Sequence, residues 1–336
     1  VIGDEPREKY NFKHNRLIHK GWITHDETLK TYERSSICVV PSYWEEPFGR
    51  TSLEAASRGC ATILSRRGGL VETIPYGLYI NRVNQIWIDE YKIDGFRFDA
   101  TRMIGWDLNQ PNFGIPAWST AISNIDNTIY QIAEHLPSDP WLIENTDLAS
   151  AWHDSFHDVL LSDAHGQFNS ATTFMRRVIQ LHEYSNVGNA YYDRKQAVKY
   201  MISHDEQSIL QEMVVFNNYS IEEARERDKF YATIMFTSLG VPMLFQGQEF
   251  GLQTGWNDDN NNGDYEEKLQ YRPIDWSLLE SEIGQSHLEH YTRLARFRKN
   301  NPALYRGTFY DLWRYEAERV IVYGYRDESY NSNDDQ

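Results

Sequence analysis

Apolar and polar positions change their rhythm along the chain. Thr24 followed by Glu27 has the spacing of a capping box and predicts a helix through about Arg34. The unbroken apolar run Ile37-Cys38-Val39-Val40 predicts a parallel strand buried on both faces. Thr51 to Arg58 reads as a short helix closed by Gly59. Ala61-Thr62-Ile63-Leu64 reads as the next strand, before a Gly68-Gly69 turn. Strand, helix, strand in this order predicts a Rossmann-like parallel arrangement.

Near Pro75 to Leu78 the character changes. A helix from about Tyr79 to Tyr91 should present Ile80, Val83 and Trp87 on one face. Asp94-Gly95 then turns the chain into Phe96-Arg97-Phe98-Asp99. Three further apolar runs end in polar residues: Trp141-Leu142-Ile143-Glu144, Lys199 to Ser203 leading into His204-Asp205, and Pro242 to Gln246. Helices separate them, the longest from Ser220 to about Leu239. Thr308 to Glu316 and Arg319 to Arg326 read as a β-hairpin. This organisation gives three segments: 1–77, 78–306 and 307–336. The first residue is not Met, and the start reads as the inside of something longer. The polar end, Asp327 to Gln336, is expected to fray.

Composition narrows the chemistry. A formal net charge of −16 argues against a nucleic-acid partner, which needs clustered Lys and Arg. No run of 18 apolar residues occurs, so no membrane partner is expected. The two cysteines, Cys38 and Cys60, have no metal-ligand spacing and build no disulfide framework, which makes a cytoplasmic setting the default. Aromatics at 14% suit a carbohydrate cleft, and equally an ordinary core.

Strands that end in charged residues and alternate with helices are the layout of a β/α barrel, whose chemistry sits at the C-terminal strand ends. Arg97 and Asp99 are two apart, so a strand points both to one side. A neighbouring Arg favours an ionised Asp, the form a nucleophile requires. Glu144 follows an apolar run, a setting that raises a carboxyl pKa and suits a general acid. Two such carboxyls at about 5–5.5 Å would make a retaining glycosidase.

Gly95-Phe96-Arg97-Phe98-Asp99-Ala100, then Ile143-Glu144-Asn145, then Ser203-His204-Asp205-Glu206 resemble, in order, three signature segments of the α-amylase superfamily. Gly240 to Glu249 resembles that family's last barrel strand, and Leu294 to Leu304 its final helix. The resemblance covers residues 78 to 326. It implies Asp99 as nucleophile, Glu144 as general acid/base and Asp205 as a transition-state stabiliser that binds sugar hydroxyls. It also implies that Arg97 holds Asp99 and His204 bonds the sugar. The substrate implied is an α-1,4-glucan or oligosaccharide. Hydrolysis, as in an amylase, and transglycosylation, as in a branching enzyme, use the same residues. No oligomeric state follows.

The family's first signature, ending in Asn-His, has no counterpart between residues 1 and 95. Barrel strands one to three and the loop domain after the third are likewise missing. The expected fold is therefore α/β: a partial (β/α)8 barrel of strands four to eight, a Rossmann-like βα fragment before it, and the start of a C-terminal β-sandwich. The first segment is expected to stand in for the missing strands or to pack beside them. With one side of the cleft missing, glucan hydrolysis is expected to be weak, and an inactive glucan-binding or purely structural remnant is a further reading.

Residues 17 to 75 resemble the C-terminal lobe of retaining nucleotide-sugar glycosyltransferases of glycogen-synthase type. Gly21-Trp22-Ile23, Val40-Pro41-Ser42, Glu45-Glu46-Pro47-Phe48-Gly49, Leu53-Glu54-Ala55 and Gly68-Gly69-Leu70 carry the likeness. It implies that Glu54 contacts a nucleotide ribose and that Glu46, Pro47, Phe48 and Gly49 face a donor sugar, which makes a nucleotide-sugar glycosyltransferase an alternative reading. Thr51 and Glu54 also have capping-box spacing, so Glu54 competes for a purely local role. No metal or cofactor is expected. Asp258, Asn260 and Asn262 before Gly263 begin like a calcium loop, but Leu269 stands where the closing Glu belongs.

Overall fold

A computed structural model describes residues 14–18, 20–40, 50–64, 76–106, 109, 114–183, 189–253 and 273–329. Contacts divide the chain into two compact units, 1–94 with 120–129 and 95–119 with 130–336.

In the first unit, helix α1 (His25–Glu33) starts at the expected capping box. Glu27 N–H donates to Thr24 Oγ1 at 3.3 Å, and Thr24 N–H donates to Glu27 Oε2 at 3.0 Å. Strand β1 (Ile37–Val40), helix α2 (Arg50–Ser57) and strand β2 (Ala61–Leu64) follow, with β1 and β2 parallel and in register Ile37 to Ala61. Gly59 ends the α2 region with φ of +86°. Tyr32, Ala55 and Cys60 form a small core with Leu29 and Cys38. The strands are not buried on both faces. Ile37 and Val39 are each 58% exposed and Ile63 is 56% exposed, so an apolar run fixed the strand but not its two-sided cover. In helix α3 (Tyr76–Asp89), Asn84 and Ile88 are buried and Val83 is half-buried, while Trp87, expected on the same face as Val83, is exposed.

The second unit is built on five parallel strands in sequence order: β3 (Gly95–Phe98), β4 (Tyr130–Ala133), β5 (Ser150–Trp152), β6 (Ala197–Tyr200) and β7 (Val241–Met243). Gly95 is required where β3 meets β4, because a Cβ there would lie 2.3 Å from the Tyr130 carbonyl oxygen. Helices α4 (Thr101–Ile104) and α5 (Gly114–Ile125) separate β3 from β4, and α6 (Pro140–Glu144) separates β4 from β5. Helices α7 (Asp154–Ala164) and α8 (Ala171–Phe174) lead into a π turn at Met175–Ile179. Next come α9 (Ile209–Asn217) and α10 (Ile221–Thr237), then, after β7, α11 (Ser277–Glu280), α12 (Glu282–Asn300) and α13 (Pro302–Arg306). This is the partial (β/α)8 barrel the sequence led us to expect, with five consecutive barrel strands.

The core lies between α7, the π turn, α9, α10 and α12, around Phe156, Leu160, Met175, Met213 and Tyr231. Lys199, fully buried in the middle of β6, ties the π turn to the sheet. Its ammonium donates to the carbonyls of Val178 (2.5 Å), Ile179 (3.3 Å) and Gln180 (2.7 Å). The hairpin β8 (Thr308–Tyr315) and β9 (Val320–Arg326) is antiparallel, as expected, with a bulge at Asp311/Trp313. No helix among the described residues is long and apolar enough to cross a membrane.

Two elements differ from expectation in a way that changes the site. Trp141 to Glu144 is not a strand but helix α6. Asp139 caps its start by accepting from Trp141 N–H at 3.1 Å, and Pro140 occupies the first turn. The strand that pairs with β3 is β4, ten residues earlier than expected at its charged end.

Candidate active site

β3 and β4 run side by side, with Phe98 opposite Ala133. The residues just past each strand end, Asp99 and Glu134, therefore emerge at the same rim. Arg97 bridges them: Nη1 donates to Asp99 Oδ1 at 2.5 Å and Nη2 to Glu134 Oε2 at 2.6 Å. Glu134 is well fixed. Its backbone N–H donates to the Phe98 carbonyl at 2.9 Å, and its carbonyl accepts from Thr101 N–H at 2.9 Å. Ala100 adopts a left-handed conformation (φ +42°) that aims its N–H at Glu134 Oε2, 2.9 Å away. Such a conformation in a residue with a Cβ costs energy and persists where the surroundings demand it.

The two carboxyls have different environments. The Asp99 side chain is 72% exposed and that of Glu134 only 12%. Burial pushes the Glu134 carboxyl above the ordinary range. The Ala100 N–H and the Arg97 charge oppose the rise, and the nearby Asp99 carboxyl adds to it. A buried acid whose pKa is raised, beside an exposed carboxyl, is the asymmetry that a general-acid and nucleophile pair uses. Behind Glu134, His135 is held neutral, its pKa lowered to about 4 by burial and by Arg102, and it meets Thr101 Oγ1 at 2.7 Å.

The strand-end residues of β5 and β6 extend the rim. Trp152 closes β5 with its ring 4.6 Å from the Arg97 guanidinium. The same ring lies 5.0 Å from Tyr200 and, edge on, 6.3 Å from His204. His204 Nε2 is 3.2 Å from Asp205 Oδ2, and both side chains are about half exposed. Asp205 N–H donates to Ser203 Oγ at 3.1 Å, and Ser203 bonds Glu206, which sets the loop.

The structure thus brings Arg97, Asp99, His204 and Asp205 to one rim, linked through Trp152. It does not bring Glu144 there. Glu144 is exposed at the end of α6, and the acid on the Arg97 fork is Glu134. A signal for Glu134 existed: Ile132-Ala133-Glu134 is itself an apolar strand end followed by an acid.

In the first unit, Glu54 lies in the second turn of α2 and accepts from or pairs with His25 Nε2 at 3.0 Å. Because α2 begins at Arg50, Thr51 is inside the helix and is not its cap. Glu46, Pro47, Phe48 and Gly49 lie outside the described residues, as do Gly68-Gly69 and the Asp258–Gly263 loop. Among the described residues no group of three or more His, Cys, Asp and Glu is placed to hold a metal ion.

Residues 77–277 match the family model for the alpha amylase catalytic domain, and residues 3–97 match that for glycosyl transferases group 1. A pullulanase of Bacillus subtilis is 23% identical over 250 residues, covering 65% of this chain and 31% of its own length. An uncharacterized glycosyltransferase of Methanocaldococcus jannaschii is 30% identical over 97 residues, 29% of this chain and 23% of its own. A solved cyclomaltodextrinase aligns over 77% of this chain and 39% of its own with a TM-score of 0.58 at 18% identity, which shows a shared fold. The chain thus spans about a third or less of these two curated relatives. With 201 of 336 residues inside the matched model, and a parallel sheet of its fold, the chain belongs to the alpha-amylase catalytic-domain family.

Proposed function

We propose that the chain cleaves α-glucosidic bonds of an α-1,4-glucan or its oligosaccharides with retention of configuration, using Asp99 as nucleophile and Glu134, in place of Glu144, as acid/base. The Arg97 fork between these two carboxyls is the observation that carries this reading. In the first step an Asp99 oxygen bonds to the anomeric carbon and the glycosidic C–O bond breaks. The electron pair leaves on the glycosidic oxygen, which takes the Glu134 proton. In the second step Glu134 accepts a proton from water as that water's oxygen bonds to the anomeric carbon and the Asp99 ester is released. His204 and Asp205 hold sugar hydroxyls at the far side of the same rim.

Transfer to a sugar hydroxyl would follow the same steps with water replaced. Hydrolysis is the primary reading and transfer the alternative. The free thiols of Cys38 and Cys60 support a cytoplasmic setting. The test is release of reducing ends from soluble starch by the purified chain, compared with E134Q and E144Q. The reading expects loss in E134Q and retention in E144Q. The reverse order would return the acid/base role to Glu144.

A further inference from the structure

Arg97 reaches two acids on two different strands, so the direction of its guanidinium plane matters. Nη1 and Nη2 are committed to Asp99 and Glu134. The third site that would fix the plane, Nε–H, is buried and has no hydrogen-bond partner among the described residues. What lies against the guanidinium instead is the Trp152 ring, 4.6 Å away. Trp152 is suited to act as a fixed wall. It ends the central strand of the five, is only 5% exposed, and packs with Ile132, Val198, Tyr200 and Met243 from strands on both sides. The same ring touches His204, which is paired with Asp205.

We propose that Trp152 is the positioning residue of the site: its ring face replaces the missing third bond to Arg97 and holds the guanidinium in register with both carboxyls. A flat π face attracts a cation and restricts it to a plane parallel to the ring. Removing that face while keeping an apolar filler leaves Arg97 with the open Asp99 as its easier partner and draws it off Glu134. The inference rests on Asp99 and Glu134 as the reacting pair, but it concerns the geometry of the fork and can be read without turnover.

The experiment is a carboxyl-carbon NMR titration of the full chain carrying 13C-labelled glutamate, with the Glu134 signal assigned by its absence in E134Q. The charged and titratable groups that face Glu134 are Arg97 and Asp99 from the β3 side and Tyr200 from β6. In Trp152→Leu the Glu134 midpoint is expected to rise by about 1 pH unit, the size of a lost neighbouring charge. In Trp152→Phe, which keeps a π face, it should stay near the wild-type value. A tryptophan that merely fills the core would lower stability in both variants and leave the midpoint in place. A folded Trp152→Leu protein with an unmoved Glu134 midpoint overturns the proposal. Should Trp152→Leu fail to fold, Trp152→Met fills similar space without a π face and is read in the same way. A shifted midpoint in a chain whose wild type cleaves no glucan would sink the glycosidase reading and sustain the positioning role. Turnover with an unmoved midpoint would do the reverse.

Discussion

Arg97 donates to Glu134 at 2.6 Å across two neighbouring strands, and the same guanidinium holds Asp99 at 2.5 Å. One cation thus serves a buried acid and an exposed carboxylate. Burial raises the pKa of the Glu134 carboxyl while the Asp99 side chain faces the solvent, an asymmetry that supports the proposed division into proton donor and nucleophile.

That division predicts a split between substrates. E134Q should lower starch hydrolysis by about 100-fold or more, the usual contribution of a general acid. It should lower cleavage of an α-glucosyl fluoride far less, because fluoride leaves without a proton. E144Q should remain within about twofold of wild type on both, since Glu144 is exposed on α6. Equal losses on starch and fluoride in E134Q would remove Glu134 from the acid role.

Lys199 predicts a stability effect away from the site. In a fully buried position its Nζ donates to the carbonyls of Val178 and Ile179 in the π turn and of Gln180 just after it. Lys199→Met keeps the stem but strands those carbonyls, and should cost about 2–4 kcal/mol in urea denaturation. A change under about 0.5 kcal/mol would mean the turn is held by packing alone.

Glu183 predicts a pH dependence. Burial raises its carboxyl to about 8, beside His153 at 3.8 Å and under the Ser155 N–H at 3.2 Å. A raised acid binds its proton more tightly folded than unfolded, so stability is lost as pH rises from about 4.5 to about 8. The neighbouring His153, whose pKa burial lowers, acts in the opposite sense below its ordinary value. The clean measurement is therefore the difference between wild type and Glu183→Gln. The glutamine variant should gain on wild type by about 1 kcal/mol per pH unit across that window. A constant difference from pH 5 to 8 would show that Glu183 does not titrate there.

In the first unit, the ion pair His25–Glu54 is partly exposed and should be worth under about 1 kcal/mol, so His25→Ala should barely move the denaturation midpoint. Labelled nucleotide-sugar transfer by the chain is expected at background, because residues 3–97 match only part of a glycosyl transferase. Transfer above background that is lost in Glu54→Ala would show a working donor site.

How much of this was legible in the sequence depends on local signals. The α1 capping box, the β1–α2–β2 order and the β8–β9 hairpin carry their own chemistry and could be read directly. Asp99 was legible because Gly95 to Asp99 combines a turn, an alternating strand and a strand-end acid. Glu134 was hidden by Gln131, a polar residue in mid-strand. That side chain is 1% exposed, and its Nε2 donates to the carbonyls of Ser119 (3.1 Å) and Asp147 (3.3 Å), bonds that only the tertiary fold supplies. Trp141 to Glu144 offered a cleaner apolar run, and short apolar runs do not distinguish helix from strand. The cue that could have decided it was Asp139-Pro140, a helix start. The fork itself was not legible, because Arg97 and Glu134 are 37 residues apart.

The most direct test of the account is to trap the glycosyl-enzyme. A fluorinated α-glucosyl fluoride, whose ring fluorine slows release of the ester, is incubated with the chain, and the labelled peptide is mapped by mass spectrometry. One glycosyl adduct is expected on the peptide containing Asp99, absent in Asp99→Asn. An adduct on Glu134, Glu144 or Asp205, or starch hydrolysis that survives Asp99→Asn, would contradict it.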